Sequence, residues 1–180
     1  MDDHTSNPVD EIFNAPKPEN AQQVAISGRN TIEQAIVKII GLARREILFV
    51  LPQMHELWDH EEIGQNLIDF IRYSAKRDVF ILMNSLENQT NPSHQLVRLS
   101  QRLSDRIQLK QVTALLEPPI MDSDYLMIVD RQHTLRIDDI DKFSAWFDAN
   151  FAARAQNYAE SFLSQWPKAR EIAEYRRFLL

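Results

Sequence analysis

The sequence predicts an α/β domain of three layers, helix–sheet–helix, built on a mixed and mostly parallel sheet. Three observations carry that expectation. The runs Glu46–Leu51 and Val79–Met83 are continuously apolar and lack the alternation of a half-exposed strand, so both faces of each need covering. Segments with apolar residues at helical spacing lie between such runs. Alternating helix and buried strand is the signature of parallel pairing through right-handed crossovers.

In chain order, residues 1–20 carry Pro8, Pro16 and Pro18 among acidic and amide residues without any period. They are expected to form a disordered arm, leaving 21–180 as one domain with no linker inside it. Gln23–Ile26 is a short strand candidate closed by Ser27-Gly28. Asn30 with Glu33, or Thr31 with Gln34, supplies a capping box for a helix over 31–45, whose Ile32, Ile36, Ile39, Ile40 and Ala43 share one face. Pro52 stops the following strand, and a loop runs to His60. Asp59 with Glu62 makes a second capping box, opening a helix that turns Ile63, Leu67, Phe70, Ile71 and Ala75 inward. After the strand Val79–Met83 and the polar stretch Asn84–Pro92, Ser93 is placed to cap a third helix bearing Leu96, Val97, Leu99, Ser100 and Leu103. Ile107–Val112 is the third strand.

Met121–Asp138 reads as a hairpin: an apolar run Tyr125–Val129, a polar corner 130–133 and an alternating run Thr134–Ile137. With Arg131-Gln132 at the centre, Asp130 faces His133 and Met127 faces Arg136. That register puts Tyr125, Met127, Val129, Thr134, Arg136 and Asp138 on one face, and Leu126, Ile128, Leu135 and Ile137 on the other. Arg-Gln is poor chemistry for a two-residue turn, so a slip by one or two residues stays open. Trp146, Phe147, Phe151, Ala155, Tyr158, Phe162 and Trp166 keep near-helical spacing up to Pro167 and predict a core-covering helix; Ala169–Leu179 predicts a short terminal one.

Composition narrows the function. At 180 residues and 44% hydrophobic content the chain supports a real core. With no cysteine, disulfides and thiolate zinc sites are excluded, which suits a reducing compartment. The polar start has no signal-peptide core and no apolar run approaches the roughly 20 residues of a membrane span, so a soluble cytoplasmic protein is expected. A net charge of −6 offers no general attraction to nucleic acid or anionic lipid, and neither is an expected partner. Three glycines leave no Gly-rich phosphate loop, and no Gly-x-Ser-x-Gly elbow occurs.

Several side chains have a functional and an ordinary reading. His55, Asp59, His60, Glu61 and Glu62 are the densest set of metal-ligand types, but the two histidines are five positions apart where a helical face wants three or four. An acidic helix N-terminus is the simpler reading, and no metal or other cofactor is expected. His94, one turn before Arg98, either contributes to an anion site at a helix start or caps that helix. Arg136 among apolar neighbours needs a partner: Asp138 or Asp124, or a bound phosphate or carboxylate.

The order and texture of residues 24–180 resemble a phospholipase D-type domain, and more closely a family of short bacterial domains of unknown function sharing that fold. The resemblance rests on Thr31–Arg45, Ile47–Leu51 with the loop Pro52–Asp59, Ser93-His94-Gln95-Leu96 leading to Arg102-Leu103-Ser104-Asp105-Arg106-Ile107, Tyr125–Asp130, Phe162–Trp166 and Arg176–Leu180. Active members carry His-x-Lys-x4-Asp: the histidine attacks phosphorus, the lysine holds phosphate oxygens and the aspartate supports the histidine. With the aspartate on Asp130, Ser123 occupies the histidine position and Tyr125 the lysine position. A Gly-Ser-Asn-like segment expected downstream is replaced by His133-Thr134-Leu135-Arg136. The resemblance therefore implies a catalytically inactive module that binds a phosphate-containing small molecule or a protein partner, with Ser123, Tyr125, Arg136, His94 and Arg98 as candidate ligand-binding residues. It also implies a homodimer, because active relatives bring two motifs together at a pseudo-twofold axis. The alternatives are a phosphodiesterase or nuclease with a rearranged site, His133 being a relocated nucleophile, and an accessory module for an acetyltransferase.

Overall fold

The structure, a computed structural model, describes residues 22–84, 91–116, 118–121 and 123–172. The expected N-terminal arm lies outside the described residues. Among the described residues there are eight strands: β1 Gln22–Ser27, β2 Glu46–Leu51, β3 Asp78–Met83, β4 Ile107–Gln111, β5 Tyr125–Val129, β6 His133–Asp139, β7 Ser144–Ala149 and β8 Arg170–Glu171. Four α-helices accompany them: α1 Arg29–Leu42, α2 Glu61–Arg72, α3 Gln95–Arg102 and α4 Ala152–Gln165. The strands form one sheet in the order β1-β7-β6-β5-β2-β3-β4-β8. None of the described helices is long and apolar enough to cross a membrane.

The sheet is mixed, but mostly antiparallel rather than mostly parallel. β2–β3 and β3–β4 pair in parallel, while β1–β7, β2–β5, β4–β8, β5–β6 and β6–β7 run antiparallel. Crossover helices, which parallel neighbours require, join parallel partners between residues 46 and 111; β5, β6 and β7 then follow one another through short turns, and the remaining antiparallel pairs join segments distant in the sequence.

β2 lies between β5 and β3 and shows why its sequence is apolar throughout. Ile47, Phe49 and Leu51 join a core with Ile32, Ile36 and Ile39 of α1, Ile63 and Leu67 of α2, and Leu96 and Val97 of α3. Leu48 and Val50 point the other way, into a core with Ala155, Tyr158 and Phe162 of α4. Burying each of these large side chains contributes roughly 1.5–3 kcal/mol relative to exposure, before the conformational entropy that ordering them costs.

Three local expectations change, the hairpin register by a one-residue slip of the kind that Arg-Gln left open. Residues 144–149 are a strand, not the first turns of a helix. There Ala145 and Phe147 are buried while Ser144 and Trp146 are half-buried, a period of two, and a left-handed Asn150 (φ 57°) then turns the chain into α4. At the C-terminus Arg170–Glu171 form β8 beside β4 where the predicted terminal helix would open, and the rest of that helix, from residue 173 on, lies outside the described residues. The β5–β6 hairpin is shifted by one residue: Val129 faces His133 and Met127 faces Leu135. Asp130 and Arg131 adopt left-handed φ of 51° and 58°, the Gln132 N–H donates to the Val129 carbonyl at 3.0 Å, and the turn thus holds three residues instead of two.

Candidate functional site

Because β5 runs antiparallel to β2, its first residue, Tyr125, lies where β2, β3 and β4 end. In open α/β sheets, ligands collect outside the carboxyl ends of the strands. A wall is built there by residues 52–60, which leave β2 and make a 3-10 turn over Glu56–Asp59. His55 caps that turn, its Nδ1 accepting the Leu57 N–H at 3.1 Å. Its ring meets Tyr125 and Phe143 edge-on, with centroids 6.5 and 6.4 Å away. Tyr125 is 5% exposed; burial raises its phenol pKa, and a hydrogen bond with Gln53 opposes the rise. Burial pushes His55 below the ordinary histidine value of 6.5, and Arg29 and His94 act in the same direction against Glu56 and Asp141.

Phe143 reaches this place from the β6–β7 turn with a left-handed φ of 50°, a conformation a bulky residue rarely takes. The Gly28 N–H holds its carbonyl at 2.9 Å, and Gly28 itself needs φ 92° to do so. Over the Phe143 ring lies the Arg29 guanidinium, 5.7 Å from the centroid. Arg29 also pairs with Glu33 at 2.9 Å and Glu56 at 2.5 Å, fastening α1 to the wall.

His94 starts α3 from behind the wall. It is 2% exposed; its Nδ1 accepts the Leu96 N–H at 3.2 Å, and its Nε2 lies 3.2 Å from the His55 carbonyl. Asp59 does not cap α2, as the sequence suggests, but accepts the Gln95 N–H at 2.6 Å. The Gln95 side chain donates to the His60 carbonyl at 2.5 Å, and Gly64 leaves the space it occupies, since a Cβ there would come within 2.2 Å of it. Ser93 is likewise displaced as a cap by its neighbour. No group of three or more His, Asp or Glu side chains among the described residues is arranged to hold a metal ion.

A family model described as "Domain of unknown function (DUF7931)" matches residues 28–178. The chain belongs to that family. No curated protein matches it in sequence. Among solved structures, the DUF7931 chain is similar to NucT from Helicobacter pylori, with a TM-score of 0.62 at 9% identity over 85% of this chain and 100% of that one. It is also similar to Nuc from Salmonella typhimurium, a phospholipase D family member, with a TM-score of 0.60 at 15% identity over 85% of this chain and 97% of that one. A third similarity is to the phosphatidylserine synthase of Haemophilus influenzae Rd KW20, with a TM-score of 0.55 at 8% identity over 89% of this chain and 41% of that one. The DUF7931 domain thus has the phospholipase D-like fold; identities this low carry the fold and nothing of the chemistry.

Of the residues singled out in the sequence, the DUF7931 structure brings Tyr125 and His94 together around His55. Ser123 is exposed in the turn before β5, and Arg98 is exposed on α3. Arg136 is not beside Tyr125: with the hairpin register shifted, it pairs with Leu126 and shares the α4 face of the sheet. There it forms an ion pair with Asp138 at 2.8 Å, the ordinary partner foreseen for it. His133 lies at the far end of β5, its Nδ1 accepting the Asn150 N–H at 3.3 Å. Asp130, the one residue that matches the motif, is also at that end, about 17 Å along the strand from Tyr125. Its carboxylate accepts three backbone N–H groups, from Arg44 at 2.7 Å, Arg45 at 2.8 Å and Glu46 at 2.9 Å. His55, Gln53, Arg29 and Phe143 are the site residues that sequence reasoning missed or weighed only for metal; His55 follows Pro52 in the loop after an interior strand, which was the available signal.

Proposed function

We propose that this domain keeps the phospholipase D-like scaffold without phosphoryl-transfer chemistry and works as an interaction module, joining a second copy of itself at the Tyr125 end. The observation that carries the first part is the state of the imidazoles beside Tyr125. Attack on phosphorus needs a ring nitrogen with a free lone pair. In His55 and His94 the Nδ1 lone pair is taken by a backbone N–H, so in the neutral ring Nε2 carries the proton. Ser123 offers only an exposed hydroxyl, and a buried phenol stands in the lysine position.

Arg29, a cation at this end, is already held by two carboxylates, so a free anion competes poorly for it. Leu115 and Met121, on the loop leading into Tyr125, are 78% and 52% exposed, which favours an apolar partner surface over a small-molecule site. A twofold pair at this end also agrees with one motif region per chain. Incubated with bis-p-nitrophenyl phosphate, the protein is expected to release no nitrophenol. Light scattering at several concentrations is expected to give a dimer that Leu115→Glu with Met121→Glu dissociates; a monomer throughout rejects the pairing. The second reading, a phosphodiesterase with a rearranged site, draws on His55, His94 and Arg29 lying at one end. Turnover that disappears in His55→Ala would establish it and overturn the first.

A further inference from the structure

Two element starts at the Tyr125 end are capped by imidazole rather than by the usual oxygen. The His55 Nδ1 takes the Leu57 N–H and the His94 Nδ1 takes the Leu96 N–H. The caps are chained, because the neutral His94 ring donates its Nε2–H to the His55 carbonyl at 3.2 Å. A ring nitrogen accepts such a bond only while unprotonated; adding one proton turns both nitrogens into donors. Asparagine or serine in these places would be insensitive to pH.

We propose that His55 and His94 form an acid-released latch that holds residues 52–60 against the start of α3. A proton from solvent on Nδ1 of either ring removes the acceptor, and the bond from Leu57 or Leu96 breaks. The structure already holds a substitute partner for the charged His94: an Asp59 carboxylate oxygen 3.9 Å from its Nδ1, now engaged by the Gln95 N–H. Shifting from Gln95 to His94 would move the carboxylate from one arrangement to another, the two-state element a switch requires.

The groups facing His55 are Glu56 from its own turn, Arg29 from α1, Asp141 from the β6–β7 turn, His94 from the head of α3 and the Tyr125 phenol. Asp59 and the His55 carbonyl face His94. Burial lowers the His55 pKa, which places release below 6.5. Once released, the turn carrying the fully buried Trp58 is no longer fixed, and the edge-on neighbour of Tyr125 and Phe143 moves away. The inference goes beyond the interaction reading and needs neither a ligand nor a dimer.

Nuclear magnetic resonance on the intact chain tests it, following ring nitrogens and amide hydrogen exchange from about pH 7.5 to about pH 4.5. At the upper end both rings are expected as Nε2–H tautomers. On descent, protection of the Leu57 and Leu96 amides, corrected for intrinsic exchange, is expected to fall roughly tenfold or more while Phe49 and Val50 in β2 stay protected. In His55→Asn and His94→Asn, whose side-chain oxygens still cap but do not titrate, that fall is expected to vanish at the substituted position. An Nδ1–H tautomer at the upper pH, unchanged protection across the range, loss together with β2, or a fall that persists in the asparagine variants would each overturn the latch; the tautomer reading stands on the unsubstituted protein.

Discussion

The two ends of β5 are held by opposite means. At its C-terminal end, Asp130 gathers three consecutive backbone N–H groups, its own N–H donates to the Glu46 carbonyl at 3.1 Å, and Arg131 pairs with Glu46 at 2.6 Å. These bonds staple the hairpin to the turn between α1 and β2. At its N-terminal end, Tyr125 meets Gln53 and His55 of the loop after β2, and through His55 the contacts run on to Phe143, which Arg29 overlies, and to His94. Asp130, aligned with the aspartate of the motif, is at the stapled end, and Ser123 and Tyr125, aligned with its histidine and lysine, are at the end built from loops.

That contrast can be broken in order of effect. Tyr125→Lys, which puts a cation at this position, is expected to lower stability by about 3–5 kcal/mol in urea titration, because the charge has to be taken out of water at a buried site. A cost under about 1 kcal/mol would mean that this end has water and room to spare for a charge. Asp130→Ala should cost about 2–3 kcal/mol by the same measurement, with Asp130→Asn between it and the parent, since charged acceptors contribute more than neutral ones. An unaffected midpoint would remove the staple from the comparison.

The pH dependence distinguishes the ends as well. A histidine whose pKa is lowered in the folded state leaves stability whole above 6.5; it is lost as the pH falls from there toward the folded value, because the unfolded chain takes up the proton first. Stability followed through this window is expected to decline on acidification, and His55→Asn should flatten the decline while Asp130→Asn does not. Gly64→Ala is a smaller test. The new methyl displaces the tip of Gln95 from the His60 carbonyl, at about 1 kcal/mol for the lost bond, measured as a shift of the urea midpoint. Arg29→Ala is expected to have the least effect on stability, shrinking further in high salt, as its pair with Glu56 is solvent-exposed and its pair with Glu33 only partly buried.

Much of the framework was legible before any coordinates. The inward faces of α1, α2 and α3 were readable because a 3.6-residue period names the buried side whatever it packs on. Uninterrupted apolar runs marked β2 and β3 as interior for the same reason. β7 was missed because Trp146 and Phe147 continue the aromatic spacing of α4, and only the two neighbours β1 and β6 turn that segment into a strand. The hairpin register escaped because Arg131 carries no turn signal, yet Asp130 is pinned in a left-handed conformation by the N–H groups of 44–46. That single-residue slip moved Arg136 to the opposite face from Tyr125.

By itself the sequence determined the inward faces of α1, α2 and α3, the interior strands β2 and β3, and the order in which these elements follow. Only the tertiary structure decided the strand directions after residue 111, the partner of each polar group, and the choice of His55 and His94 as caps. Burial leaves a period in the chain because it depends on which side of a local element faces the core. A hydrogen-bond partner leaves none when it comes from a segment tens of residues away.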